Sequence, residues 1–342
     1  MNSLSSDIDV YSVRIYNRGL TKEEIEVNSK ADEKRFKEDD VIQIATEDEL
    51  MRVENGKTYE LKNDIEVNGD LTNIINKINN KEIEIKSNDK KILNNGVYYM
   101  SSSRYTIPVN KYGYVVNGLE VHLDGIDNTG TGSHNNTASV WKDLSGKNRD
   151  GTLKNMDTST AWEDDGLNFD GIDDIVAIDE MNYDNVTLEV VTAPEEKKND
   201  DTYMTIIGNP ESGGYHIIAN SVNRLDFGVY ISETSSYAYV STTSQVKFEN
   251  GRRYTISGTY DGSKLKRMTS NNYAELEQTG TIGTTKSNTY MVLGGNPVRS
   301  EYQEGAYHGT IYSARVYSRA LSDEEKSVNY MADKDRYKVY IG

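Results

Sequence analysis

Residues 312–337 read YSARVYSRALSDEEKSVNYMADKDRY, and residues 11–36 read YSVRIYNRGLTKEEIEVNSKADEKRF. The two stretches align without a gap and are identical at 13 of 26 positions. In each, residues first alternate as on a strand: Tyr11, Val13 and Ile15 in one copy, Tyr312, Ala314 and Val316 in the other. A helix start follows. Thr21-x-x-Glu24 and Ser322-x-x-Glu325 are capping boxes, in which hydroxyl and carboxylate each satisfy an otherwise unbonded backbone N–H. Acidic residues in the first turn sit at the positive end of the helix dipole. A strand running into a capped helix therefore occurs twice. Residues 113–311 precede the second copy as strand-rich sequence, whereas ten residues precede the first. The expectation is that residues 1–36 are the strand–helix end of a preceding domain, the chain being a piece of a longer tandem-repeat protein. A lone strand and helix bury too little apolar surface to stand alone.

Working back from the second copy, residues 113–342 show ten strand-like runs separated by polar turns. They include Leu119–Leu123, Gly166–Phe169, Ile175–Ile178, Val186–Val191, Tyr203–Ile207, Gly214–Ile218, Leu225–Tyr230, Arg253–Tyr260, Tyr290–Leu293 and Gly309–Tyr317. Many short strands with turn signals and no strand–helix–strand alternation predict an all-β fold, a jelly-roll β-sandwich. Residues 37–112 predict a separate small β-rich spacer. A capping box, Thr46-x-x-Glu49, opens a short helix there, and a helical turn is expected over 71–79. The short strands around them suit either the first coils of a β-helix or a small sandwich.

Composition excludes several functions. Lys plus Arg number 38 and Asp plus Glu 55, a net charge of −17. Such a surface does not attract nucleic acid or anionic lipid, both of which need clustered Lys and Arg. No apolar run approaches the roughly 18 residues of a membrane helix, so membrane insertion is not expected. The first residues, Met1 to Asp7, carry no signal-peptide pattern. Cys is absent, which removes disulfides and thiolate chemistry.

Four segments carry a family resemblance. Asp143–Leu153, reading DLSGKNRDGTL, and Leu167–Val176, reading LNFDGIDDIV, are two of them. The turn Gly258-Thr259-Tyr260-Asp261-Gly262 and the closing segment Gly309–Ser322 complete the set. Together, and in this order, they resemble the laminin G-like members of the concanavalin A-like lectin/glucanase superfamily. The resemblance implies two antiparallel sheets, binding of carbohydrate or protein, and in many relatives a structural calcium. Relatives recur in bacterial surface proteins and phage tail fibres. It covers residues 113–339 and, as the tail of another copy, 7–36.

The sequence offers residues for two kinds of site, a calcium site and a ligand face, and none for a third, a catalytic centre. For calcium, which takes six to eight oxygen ligands, the oxygen-rich turns Asp124/Asp127 and Asp170/Asp173 are the candidate ligands if the fold brings them together. The same residues also make tight Asx turns unaided. Tyr312 stands where many relatives place a ligand Asp. For a ligand face, Tyr215, His216, Tyr230, Tyr237 and Tyr239 lie on or between central strands, and aromatic rings suit either sugars or a protein partner. For catalysis, no paired-carboxylate strand motif, metal-binding His spacing or nucleophile motif is present, so no enzyme activity is expected. Trp141 and Trp162 read as core. The expected function is non-catalytic, extracellular recognition. In the leading form this is the receptor-binding part of a phage tail fibre or tail-like bacteriocin. Its partner would be a host surface polysaccharide or surface-layer protein, with a homotrimer possible on that reading. The alternatives are a fragment of a secreted adhesin and a carbohydrate-binding module attached to an enzyme.

Overall fold

In a computed structural model the described residues are 13–36, 41–86, 90–94, 97–101, 106–198, 203–211, 213–220, 224–240, 248–269, 272–284, 290–296 and 305–339. The chain divides into two compact units, Met1–Asn95 with Tyr99–Thr106, and Gly96–Tyr98 with Ile107–Gly342.

In the first unit three strand pairs run parallel. Ile42–Ile44, Thr58–Leu61 and Glu84–Lys86 form one ladder, with Ile42 beside Tyr59 and Tyr59 beside Ile85. Ile65–Val67 and Ile92–Asn94 pair in the same sense on a second ladder. A chain that returns to the same ladder in the same direction winds as a coil, and residues 58–94 make one such circuit, the winding of a β-helix rather than of an antiparallel sandwich. Its interior holds Ile44, Tyr59, Leu61, Ile65, Val67, Ile85 and Ile92. The helix Thr72–Asn79 buries Ile74 and Ile78, one turn apart on one face. Thr46 and Glu49 form the expected reciprocal cap.

The second unit is an antiparallel sandwich, and all ten expected strands are present. Among the described residues each of its two sheets has eight strands. One sheet runs, edge to edge, Ser236–Val240, Leu225–Ile231, Tyr215–Asn220, Tyr203–Gly208, Tyr290–Leu293, Ile175–Glu180, Gly151–Lys154 and Val140–Trp141. The other centres on His308–Tyr317, the closing strand, which pairs with Val186–Pro194 along one edge. Its opposite edge takes Gly166–Asp170 and Leu119–Asp124. Between the sheets lie Trp141, Phe169, Leu188, Val190, Phe227, Ile256, Ala314 and Val316. Trp162 also belongs to this core, its ring edge-on to Trp141 at 5.1 Å.

The helix Asp323–Tyr337, capped by Ser322 and Glu325 as expected, covers the outer face of the second sheet. Alternation along the closing strand points Ala314 and Val316 into the core and Arg315 and Tyr317 towards the helix. Arg315 is fully buried there. Its guanidinium meets Glu189 at 3.0 Å and Asp333 at 2.8 Å, and stacks 4.0 Å from the Tyr114 ring centre. The Tyr114 hydroxyl and the Thr255 hydroxyl both donate to Asp333, and Asn329 donates to Glu189 and to the Tyr317 hydroxyl. Burial opposes the charge on Arg315, but Asp333 and Glu189 outweigh it and hold the guanidinium firmly protonated. Removing one member leaves an uncompensated buried charge. Asp333→Ala is therefore expected to cost about 3–5 kcal/mol in a denaturant titration, and replacing Glu189, Arg315 and Asp333 together by apolar residues much less.

Candidate functional site

The motif loops are held by their own side chains. Both Asp143 oxygens accept, one from the His122 and Ser145 amides, the other from the Ser145 hydroxyl and the Arg149 amide. Asp261 likewise accepts from Ser263 and Lys264. These residues build turns.

The outer face of the first sheet is different. Because Tyr215, Ile217, Phe227, Val229 and Ala238 point into the core, the residues between them point outward. Antiparallel register sets His216 beside Gly228, Gly228 beside Tyr239, and Tyr230 beside Tyr237. The rings meet. Tyr237 stacks on His216 at 5.0 Å with 20° between planes. Tyr239 tilts over it at 5.5 Å, and Tyr230 stands edge-on to Tyr237 at 5.1 Å. Gly228 makes this possible, since a Cβ there would lie 2.6 Å from the Tyr239 ring and 3.0 Å from His216 Nε2. The tyrosines are half-buried and Tyr239 reaches 37% exposure, while His216 is covered.

Polar contacts fix the rings. His216 Nε2 and the Tyr239 hydroxyl are 3.1 Å apart, and the Tyr237 hydroxyl donates to the Gly213 carbonyl at 2.7 Å. Nδ1 of His216 has no partner among the described residues. Burial pushes the imidazole down to about 3, so it is neutral at physiological pH, and burial also pushes the Tyr237 and Tyr239 hydroxyls up.

Four of the five ring residues singled out in the sequence thus share one face. Tyr215 does not: it precedes His216 by one residue, so the pleat turns it into the core, beside Met181. Tyr203 was missed and belongs to the face, 6.2 Å from His216. The signal was available, since Met204 and Ile206 are the inward residues of its strand.

The acidic turns are not brought together. Ser313 pairs with Asp124 and His308 with Asp170, so five residues of the closing strand, roughly 17 Å, separate them. Asp124 is also engaged already. One oxygen accepts from the amides of Ile126 and Asp127, and the other meets Arg336 at 2.6 Å. Asp127 accepts from the Tyr112 hydroxyl. Asp170 and Asp173 are joined instead by Asp174, with ligand oxygens of all three within 4.8 Å of one another. Among the described residues this is the carboxylate group that could share a cation. Tyr312 is covered by the Arg253 guanidinium 4.0 Å from its ring centre.

Two pH effects follow. The His216 imidazole is expected to show no titration between pH 5 and 8 by NMR. Its folded-state value lies below the unfolded one, so stability falls as pH drops from about 6.5 towards 3. Asp174 has the opposite sign. Burial first, and then Asp170 and Asp173, push it up to about 6. A carboxylate raised on folding stabilises the fold as pH falls from about 6 to 4. Asp174→Asn is accordingly expected to stabilise the protein by about 1 kcal/mol at pH 7, after allowance for its partial solvation, and by nothing at pH 4 in thermal melts.

Residues 170–325 match the model of the Laminin_G_3 family, described as concanavalin A-like lectin/glucanases superfamily. No curated protein matches the chain. Similar solved structures include the botulinum neurotoxin serotype D binding domain, at 13% identity and TM-score 0.45 over 63% of this chain. This chain spans about half of that one, 52%. Domain 4 of the extracellular arabinanase AbnA from Geobacillus stearothermophilus, in complex with arabinotriose, matches at 16% identity and TM-score 0.46, over 63% of this chain and 98% of its own. The Ruminococcus gnavus IT-sialidase CBM40 bound to alpha2,6 sialyllactose matches at 14% identity and TM-score 0.35, over 43% and 83%. Over residues 170–325, then, the sandwich is similar to the concanavalin A-like lectin/glucanases superfamily.

Proposed function

We propose that the sandwich is a non-catalytic module that binds a glycan on the outer face of its first sheet. The observation that carries this reading is the aromatic face itself. Tyr203, Tyr237 and Tyr239 lie around a neutral imidazole and Tyr230 stands edge-on to Tyr237, with the Tyr237 and Tyr239 rings held by hydrogen bonds and part of each tyrosine open to solvent. Sugar rings present apolar C–H faces edged by hydroxyls. Pre-set aromatic planes receive the first, and tyrosine hydroxyls receive the second at little loss of rotamer freedom. The neutral histidine adds no charge, which suits a neutral or polar saccharide.

The wider role we infer is recognition at a bacterial surface by a phage tail fibre or tail-like bacteriocin. Its support is the combination of this module with a coil of parallel rungs and a second copy of the strand–helix motif. A surface-layer protein is the competing receptor.

Binding to intact bacteria, measured before and after periodate oxidation and before and after surface proteolysis, separates the two. Loss with periodate supports a glycan receptor, and loss with protease alone overturns it. On the glycan so identified, Tyr239→Ala is expected to weaken binding about tenfold, one ring's stacking energy, with an unchanged melting temperature.

A further inference from the structure

The two strand–helix copies carry the same internal contacts in opposite surroundings. In the sandwich, Arg315 pairs with Asp333, Asn329 donates to the Tyr317 hydroxyl, and Arg319 pairs with Glu325. Thirteen matched positions in the first copy include all of these residues. There Arg14 pairs with Asp32 at 2.6 Å, Asn28 donates to the Tyr16 hydroxyl at 3.1 Å, and Arg18 pairs with Glu24 at 2.6 Å. Thr21 and Glu24 repeat the reciprocal cap of Ser322 and Glu325. The polar contacts between the helix and the segment before it are therefore made in both copies.

Their apolar faces differ. Ala314 and Val316 are fully buried between Leu123, Val121, Leu188 and Val190. The matching Val13 and Ile15 are 73% and 93% exposed, and residues 13–16 pair with no strand among the described residues. Charge differs in the same way. Arg315 is held by two carboxylates, Asp333 from its own helix and Glu189 from the neighbouring strand. Arg14 has the helix carboxylate, Asp32. What the first copy lacks is what a neighbouring sheet supplies: apolar strands on both edges and a buried glutamate opposite the arginine.

We propose that residues 13–36 dock as the closing strand and helix of a second sandwich of this same fold, on an acceptor that lacks its own closing strand and presents a glutamate in the position of Glu189. A second copy of this chain is not that acceptor, because its slot is filled on both edges by His308–Tyr317.

The repeat offset of 301 residues defines the test. A copy of residues 107–307 is joined directly to residue 7 of the full chain, so that residues 7–36 take the place of 308–337. A control extension carries residues 107–339, which close themselves. In the first extension, amide exchange across 13–36 is expected to slow by at least about a hundredfold relative to the unextended chain, in a monomer. Glu189→Leu in the added copy alone is expected to abolish that protection. Unchanged exchange at 13–36 while the control extension folds overturns the proposal. So does protection that survives Glu189→Leu, or protection seen only in dimers formed by exchange with the original closing strand.

Discussion

A guanidinium buried between a sheet and a helix is the constraint on which the sandwich depends. Arg315 leaves water only because Glu189 comes from one neighbouring strand and Asp333 from the helix above, with Tyr114 covering the remaining face. An ion cluster of this kind adds little net stability over an apolar equivalent. What it fixes is register. Sliding the closing strand by one residue would put Arg315 into the apolar core and Val316 against the helix carboxylates. The same cluster ties together parts of the chain far apart in sequence, at 114, 189, 255, 315 and 333.

That anchoring leaves the other sheet free to vary on its outer face. No helix covers the strands around Tyr215–Asn220 among the described residues, and there the chain places rings where a core would place aliphatics. The His216 ring lies under two tyrosines, and Gly228 supplies the clearance that brings them down onto it. The anchored sheet and the ring-bearing sheet share one apolar core, in which Phe227 from the first packs against Gly258 from the second.

Legibility in the sequence followed the range of the interactions. Capping boxes at Thr46 and Ser322, the ten strands, and the buried tryptophans rest on local pattern, and all are present. The ring face was readable in part, because alternation along a strand is local, and the same alternation turns Tyr215 inward. The pairing of acidic turns was not readable. It depends on how far apart two strands meet the closing strand, which no spacing in the sequence records. Asp174 joined Asp170 and Asp173 through the tightness of one turn, and Arg336 met Asp124 from 212 residues away. The parallel sense of the first unit was equally hidden, since a short strand looks the same in either direction.

The circuits of that first unit differ in length, the step from Ile42 to Tyr59 taking 17 residues. From Thr58 to Glu84 is one circuit of 26 residues, and from Ile65 to Ile92 one of 27. Each circuit advances the axis by the spacing between hydrogen-bonded strands, about 4.8 Å. In such a winding the contacts of each circuit are made with the circuits next to it. Such a segment is a ruler graduated in steps of about 4.8 Å.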